Sequence, residues 1–207
     1  MMAMMSASLP AGDQKLVQIV DAALTDTARR SGDWLVCKLG CTQCCVGVFA
    51  INALDVARLQ NGMADLQRRD PSRATRVRAR AHASVTRLTP DYPGDPQTGI
   101  LYETEEAVAR FEEFANDEVC PALDPETGAC DLYAARPMTC RVFGPPVRSE
   151  DGLGVCELCY HGASEEEIAA CEMVLDTGSV EQPLLEDLAK AGQTGQTVVA
   201  FALDRDR

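Results

Sequence analysis

The sequence predicts a mainly α fold, a small helical domain with cysteine-rich loops and little sheet. Three observations predict it. Apolar residues recur at helical spacing in several segments. Nine of the ten cysteines fall in three clusters outside those segments, and Cys171 stands apart. Aromatics make up only 5% of the 207 residues, so large rings supply little of the core, and thiols held by metals or disulfides are expected to help.

The elements follow in chain order. Asp13 to Arg30 reads as an amphipathic helix, with Leu16, Ile19, Val20, Ala23 and Leu24 on one face and Ser31-Gly32 ending it. Cys37 to Cys45 is a tight loop, and Val46 to Ile51 suits a short strand. Asn52 is placed to cap a helix through Leu54, Val56, Leu59 and Leu66. Asp70-Pro71 breaks that helix, and Pro71 suits the first position of the next. This next segment, Ser72 to Leu88, carries Arg73, Arg76, Arg80 and Arg87 near one face. A solvated face is its simplest reading, and an anion or partner site is the alternative.

Thr89 to Gly99 holds Pro90, Pro93, Pro96 and Gly94, and reads as a loop. Glu103 to Phe114 is a short acidic helix with Val108, Phe111 and Phe114 inward. Ser164 to Leu175 is another helix, opened by a capping box of Ser164 and Glu167. Leu184 to Ala189 suits a last helix, and Thr197 to Leu203 a short strand. The expected organisation is a flexible N-terminus over 1–12, a cysteine-rich domain over 13–178 and a C-terminal appendage over 179–207.

Nineteen basic against 32 acidic residues leave a net charge of −13. That field repels nucleic acid and anionic membranes, so neither is expected as a partner. The start lacks a basic residue and a long apolar run, so it does not read as a signal peptide. No stretch reaches the roughly 18 apolar residues of a membrane span. A cytoplasmic location is therefore expected. There thiols stay reduced, which favours metal ligation or redox chemistry over structural disulfides.

The first cluster is Cys37-Lys-Leu-Gly-Cys41-Thr-Gln-Cys44-Cys45. The second runs from Cys120 through Cys130 to Cys140, and the third is Cys156-Glu-Leu-Cys159. Thiolates suit zinc, Cu(I) and iron–sulfur clusters. Close spacing lets one loop present several sulfurs while its free N–H groups hydrogen-bond to them. Gly40 suits such a loop, because backbone must approach sulfur closely. Several thiolates on one centre call for nearby cations, and Arg136 and Arg141 flank Cys140. Adjacent Cys44 and Cys45 suit two metals or two irons, unless one is a small buried hydrophobe. Tyr133 and Tyr160 flank ligand candidates and are expected to pack beside the metal, each hydroxyl a donor. His161 can replace a thiolate, His82 reads as a surface residue, and Cys171 reads as core.

Cys41-x-x-Cys44-Cys45, then Cys120-Pro121-Ala122-Leu123, then Cys130-x-x-Tyr133-x-x-Arg136-Pro137-x-x-Cys140-Arg141 resemble the YkgJ-type (CxxCxxCC) family of zinc- or iron-chelating proteins. The resemblance spans roughly Cys37 to Cys159. Cys37 departs from the pattern, because three residues and not two separate it from Cys41. The resemblance implies metal binding by Cys37, Cys41, Cys44, Cys45, Cys120, Cys130 and Cys140. Adding Cys156 or Cys159 gives eight, enough for two four-thiolate sites; one site, with the remaining cysteines structural, is the simpler alternative. The family includes flagellin lysine N-methylases, which implies iron–sulfur-dependent methyl transfer as one activity.

The leading expectation is a cytoplasmic protein whose helices and loops wrap one or two iron–sulfur clusters, most simply 4Fe-4S, with a redox or substrate partner. Cluster-dependent transfer is included, with Arg73, Arg76 and Arg80 holding an anionic substrate. The alternative is a structural zinc module or metal carrier without redox activity. A third reading makes Cys156 and Cys159 a thiol–disulfide pair, but no βαβ pattern surrounds them. No catalytic residue is identified. The chain has no Walker loop, dinucleotide glycine fingerprint, His-Glu-x-x-His or Gly-x-Ser-x-Gly.

Overall fold

A computed structural model describes residues 9–38, 40–149, 152–175 and 177–204. The fold is mainly helical, with two small two-stranded sheets. Helix α1 spans Asp13–Ser31 and stops where Gly32 takes φ 50°. Helix α2 spans Ala53–Arg69; the Asn52 carboxamide oxygen accepts from the N–H groups of Leu54 and Asp55, both at 3.0 Å. Helix α3 spans Pro71–Leu88, with Pro71 in its first turn and the Asp70 carboxylate accepting from Arg73 N–H at 2.9 Å.

Strands β1 (Gly94–Asp95) and β2 (Ile100–Leu101) pair antiparallel. Helix α4 (Glu105–Glu113) follows, capped by Thr104. Helix α5 (Met138–Val142) carries Cys140. Strands β3 (Val147–Ser149) and β4 (Gly152–Gly154) form the second hairpin. Helix α6 (Glu165–Ala170) opens on the full Ser164–Glu167 capping box. Helices α7 (Gly178–Lys190) and α8 (Val199–Leu203) complete the order.

The main core lies between α2, α3 and α8. Leu59, Met63 and Leu66 meet Ala74, Val77 and Ala81, and Val199, Ala202 and Leu203 close the third side. Ala122 and Leu132 of the second cysteine segment join this cluster, so the core reaches directly under the thiols. A second cluster gathers Val85, Leu88, Tyr92 and Phe201. There the Tyr92 ring lies 4.4 Å from Phe201 and 5.8 Å from Phe114. A third joins Leu16 of α1 and Leu54 of α2 to Leu184 and Leu188 of α7.

Several expectations need correction. Thr197 to Leu203 is not a strand: Thr197 makes one bridge to Ile51, and Val199–Leu203 is helical. All five residues of α8 are buried, so no polar face marks its period. Val46 to Ile51 is not a strand: it makes isolated bridges at its ends, to Val119 and Thr197, and Gly47 between them takes φ 87°. The helix expected over Ser164 to Leu175 ends at Cys171, and Leu184 to Ala189 lies inside the longer α7. Of the stretch over 179–207, α7 packs on α1 and α2, and α8 completes the main cluster. Its stop at 207 and the start at 1–8 lie outside the described residues. Among the described residues no helix is long and apolar enough to cross a membrane.

Candidate metal centre

The cysteine loops are tied together by backbone. Cys120 N–H donates to Cys45 O at 2.8 Å and Gly47 N–H to Glu118 O at 2.9 Å, with a bridge between Val46 and Val119. Cys120 to Cys130 then forms a hairpin-like loop: Leu123 bridges Cys130, and Asp131 N–H donates to Ala122 O at 2.7 Å. Asp124 turns this loop by accepting from Glu126 N–H at 3.1 Å and Thr127 Oγ1 at 2.9 Å. Gly128, at φ 66°, lies against the Gly40 backbone.

Two ionic ties anchor the loops to the helices. The Asp131 carboxylate, beside Cys130, accepts from Arg73 and, at 2.5 Å, from Arg80 of α3. Arg80 also donates to Pro121 O at 2.9 Å. The arginine face of α3 therefore holds the second cysteine segment, and of the three anion-site candidates Arg76 is exposed while Arg73 and Arg80 are half-buried. On the other side, Asp55 of α2 accepts from Met138 N–H at 2.9 Å and so caps α5 below Cys140. Asp55 also pairs with Arg58 at 2.5 Å, and Arg58 with Asp13 at 2.6 Å.

These ties enclose a cavity of about 290 Å³. Cys37, Cys41, Cys44, Cys45, Cys120, Cys130 and Cys140 all line it, with Leu59 and Val199 as its apolar floor. All ten cysteines are free thiols. Backbone donors serve the sulfurs: Ala122 and Leu123 N–H groups reach Cys120, and Leu132 N–H reaches Cys130. Such bonds offset charge on a thiolate.

The nine candidate ligands fall into two sets. Cys44 and Cys45 hydrogen-bond to each other, and Cys120, Cys130 and Cys140 are within electrostatic reach of that pair. Cys37 instead hydrogen-bonds to Cys159 and Cys159 to Cys156, with Cys41 beside them. Among the described residues no three Cys, His, Asp or Glu side chains are set to hold a single metal ion as they stand. The thiols are gathered around a space and not around a point.

The electrostatics are uneven. Cys44 is lowered to about 6, first by the Cys45 S–H bond and then by its own N–H and Arg136. Cys45 is pushed up by the same S–H bond. Burial pushes Cys120 and Cys37 up to about 12 and raises Cys140 and Cys130. Arg136 favours charge on both Cys44 and Cys130, and its guanidinium lies 3.9 Å above the Tyr133 ring.

The other expected partners divide. Arg141 lines the cavity at 3% exposure and donates to Asp21 at 2.9 Å and Ala134 O at 2.5 Å. Its buried Nε–H has no hydrogen-bond partner, a donor left over on a cavity wall. Tyr133 is 62% exposed, so it serves Arg136 as a platform and its hydroxyl reaches no thiol. Tyr160 is buried, and its hydroxyl shares a 2.5 Å hydrogen bond with Ser31 Oγ while lying within electrostatic reach of Cys171 and Cys159. His161 is exposed, as is His82, 3.3 Å from Asp204. Cys171 is buried beside Cys156, Cys159 and Tyr160.

Sequence reasoning missed Asp131 and Asp55. Asp131 sits 58 and 51 residues from its arginine partners, and no local pattern links them. It also missed Gly144, which lets the chain pass under Cys37; a Cβ there would lie 2.8 Å from the Cys37 sulfur.

Residues 36–160 match the family "CxxCxxCC: Putative zinc- or iron-chelating domain". The chain belongs to this family. The matched segment holds every thiol of the cavity and both cysteines of the Cys156–Cys159 turn, so metal chelation is the function class of the CxxCxxCC domain here. No curated protein and no solved structure matches the chain.

Proposed function

We propose that the chain is an iron–sulfur protein that holds a cluster in the cysteine-lined cavity. The carrying observation is the space itself. At about 30 Å³ per water, 290 Å³ is room for roughly ten waters. A single tetrahedral zinc, with sulfurs at about 2.3 Å, draws four thiolates together and needs no such room. A group of several iron and sulfide atoms does.

The donor set fits. Four of Cys44, Cys45, Cys120, Cys130 and Cys140 supply Cys₄ ligation. A bound cluster supplies one-electron transfer. The chain's own residues set its conditions. Ala122, Leu123 and Leu132 N–H groups donate to sulfur, and Arg136 and the spare Arg141 Nε–H offset the anionic charge. Leu59 and Val199 keep the inner wall dry. Lys38, Tyr133 and Arg136 also line the cavity, and Tyr133 and Lys38 are exposed, which offers a redox or substrate partner of acidic character an approach. A cytoplasmic, reducing setting suits the free thiols.

The test is anaerobic purification of the full chain with iron, zinc and acid-labile sulfide analysis. The expected product is brown, contains iron and sulfide in equal amounts, and bleaches on reduction. A colourless protein with zinc and no sulfide would overturn the reading.

A further inference from the structure

We propose that a second cavity, which shares no residue with the cysteine cavity, binds a small organic amine as its ammonium ion. The proposal does not depend on what the thiols hold.

This cavity has a volume of about 480 Å³. Sites for small organic molecules run from about 300 to 1,000 Å³. Val56 of α2 and Phe201 of α8 are buried and form its floor. The turn over 96–98 and the loop over 192–195 form its two rims.

Hydrogen bonds fix both rims. The Asp95 carboxylate accepts from Gln97 N–H and Thr98 Oγ1, both at 2.9 Å, and sets the first. Gln193 N–H donates to Leu188 O at 2.9 Å, and Leu101 N–H to Gln196 O at 2.8 Å, so the second is tied to α7 and to β2. Thr197 and Ile51 exchange backbone bonds of 3.0 and 2.8 Å where the loop enters α8. Gly195 brings the loop onto Ile100, where a Cβ would lie 2.9 Å from Cγ2. A frame fixed in advance lowers the ordering cost of binding.

The lining selects the ligand. Among the described residues that line the cavity, Asp204 is the sole charged side chain, and it is 12% exposed. The exposed His82 ring stands 3.3 Å from it but is not in the lining. A half-buried carboxylate in a chain of net charge −13 repels anions and attracts cations. Val56, Ile100 and Phe201 present hydrocarbon, which suits an organic body and not a hydrated metal ion. Gln97 and Gln193 add carboxamides at the rims. Thr197 also lines the cavity, and among the described residues its buried hydroxyl has no hydrogen-bond partner. A buried polar group left unpaired is costly, and the N–H of a bound amine would relieve it.

The chelating domain does not account for this cavity. Its loop and its α8 residues, from 192 to 204, lie beyond the matched segment 36–160. Helices α2 and α8 serve both cavities with different residues, Val56 and Phe201 here, Leu59 and Val199 at the thiols.

The experiment titrates the full chain, labelled at its Val, Leu and Ile methyl groups, with cyclohexylmethylamine and follows the NMR signals. Cyclohexylmethanol and cyclohexanecarboxylate are the neutral and anionic comparison probes. The amine should bind saturably, one per chain, and shift the Val56 and Ile100 methyl signals. Those of Leu24 and Leu35, which line the cysteine cavity, should stay in place. The amine should bind about tenfold more tightly than the alcohol, through its charge-assisted hydrogen bond, and the carboxylate should not bind. Asp204→Asn should remove that preference and leave alcohol binding unchanged. If this variant does not fold by circular dichroism, Ala53→Leu, which fills the cavity from α2, should weaken amine binding in its place. Absence of saturable binding by the wild type overturns the proposal. So do equal affinities for amine and carboxylate, shifts centred on Leu24 and Leu35, a folded Asp204→Asn that keeps the preference, or a folded Ala53→Leu that binds the amine as the wild type does.

Discussion

Asp131→Asn tests how the second cysteine segment is held. The carboxylate is 1% exposed and is clamped by Arg73 and Arg80, whose side chains are 36% and 25% exposed. The amide that replaces it carries no charge and turns N–H donors toward two guanidinium donors. Breaking a fully buried pair costs about 3–5 kcal/mol. Here both cations reach water, and screening reduces the loss. An estimate of about 2–3 kcal/mol follows. For a chain of this size each kcal/mol moves Tm by about 2–4 °C, so the melt should fall by roughly 4–12 °C. The assay is thermal circular dichroism at matched metal content. Arg76→Ala is the control, because Arg76 is exposed and should change stability by less than about 0.5 kcal/mol. A fall under about 2 °C for Asp131→Asn, or an equal fall for Arg76→Ala, would refute the reasoning.

Three further outcomes are expected. In metal-free, reduced protein Cys44 should alkylate first, since at pH 7 a thiol at about 6 is roughly nine-tenths thiolate. Peptide mapping after brief iodoacetamide treatment checks this, and Cys120 labelling ahead of Cys44 would contradict it. The same metal-free protein should weaken in alkali. Burial holds Cys120 protonated up to about 12, whereas the unfolded chain releases that proton near 9, so stability is lost as pH climbs through that window. Urea midpoints at pH 8 and pH 10 should therefore fall, and a rise would show the sign to be wrong. Finally, Gly62→Ala gains helix propensity of about 1 kcal/mol. It also drives a Cβ into the Ala135 Cβ, and overpacking of that kind costs about 1–3 kcal/mol. The single variant should be no more stable than wild type and Gly62→Ala/Ala135→Gly more stable than the single; a stabilised single variant would mean that the contact yields freely.

Short-range signals in the sequence were dependable. Asn52 caps α2, Asp70-Pro71 separates α2 from α3, and Ser164 with Glu167 opens α6, because each acts within four residues. Val199–Leu203 was misread because burial on every side removes the polar face that reveals a helix. At the thiols, spacing picked out nine candidates, of which seven line the cavity and Cys156 and Cys159 do not, and it could not group them. Cys41 and Cys44 are neighbours in sequence, yet one faces Cys156 and the other faces Cys45 and Cys120. That division depends on the path of the chain past Gly144, which no local pattern records. The arginines of α3 were visible as a basic face, but their function as an anchor required Asp131, far away in sequence.

A chain of net charge −13 that gathers nine thiols must still make thiolates. The magnitudes show why the overall field does not forbid this. Exposed charges farther than about 8 Å are largely screened at physiological salt. Within a partly dry site a charge at about 4 Å contributes about 4 kcal/mol at an effective dielectric of 20. Local groups therefore outweigh the distant carboxylates. The local groups are unequal: Arg136 favours charge at Cys44 and Cys130, whereas Asp55 opposes it at Cys140. Asp55 cannot simply be removed, because the same carboxylate caps α5 and pairs with Arg58. The residue that fixes the position of Cys140 thus raises the cost of ionising it, and the bound metal's own positive charge has to offset that cost.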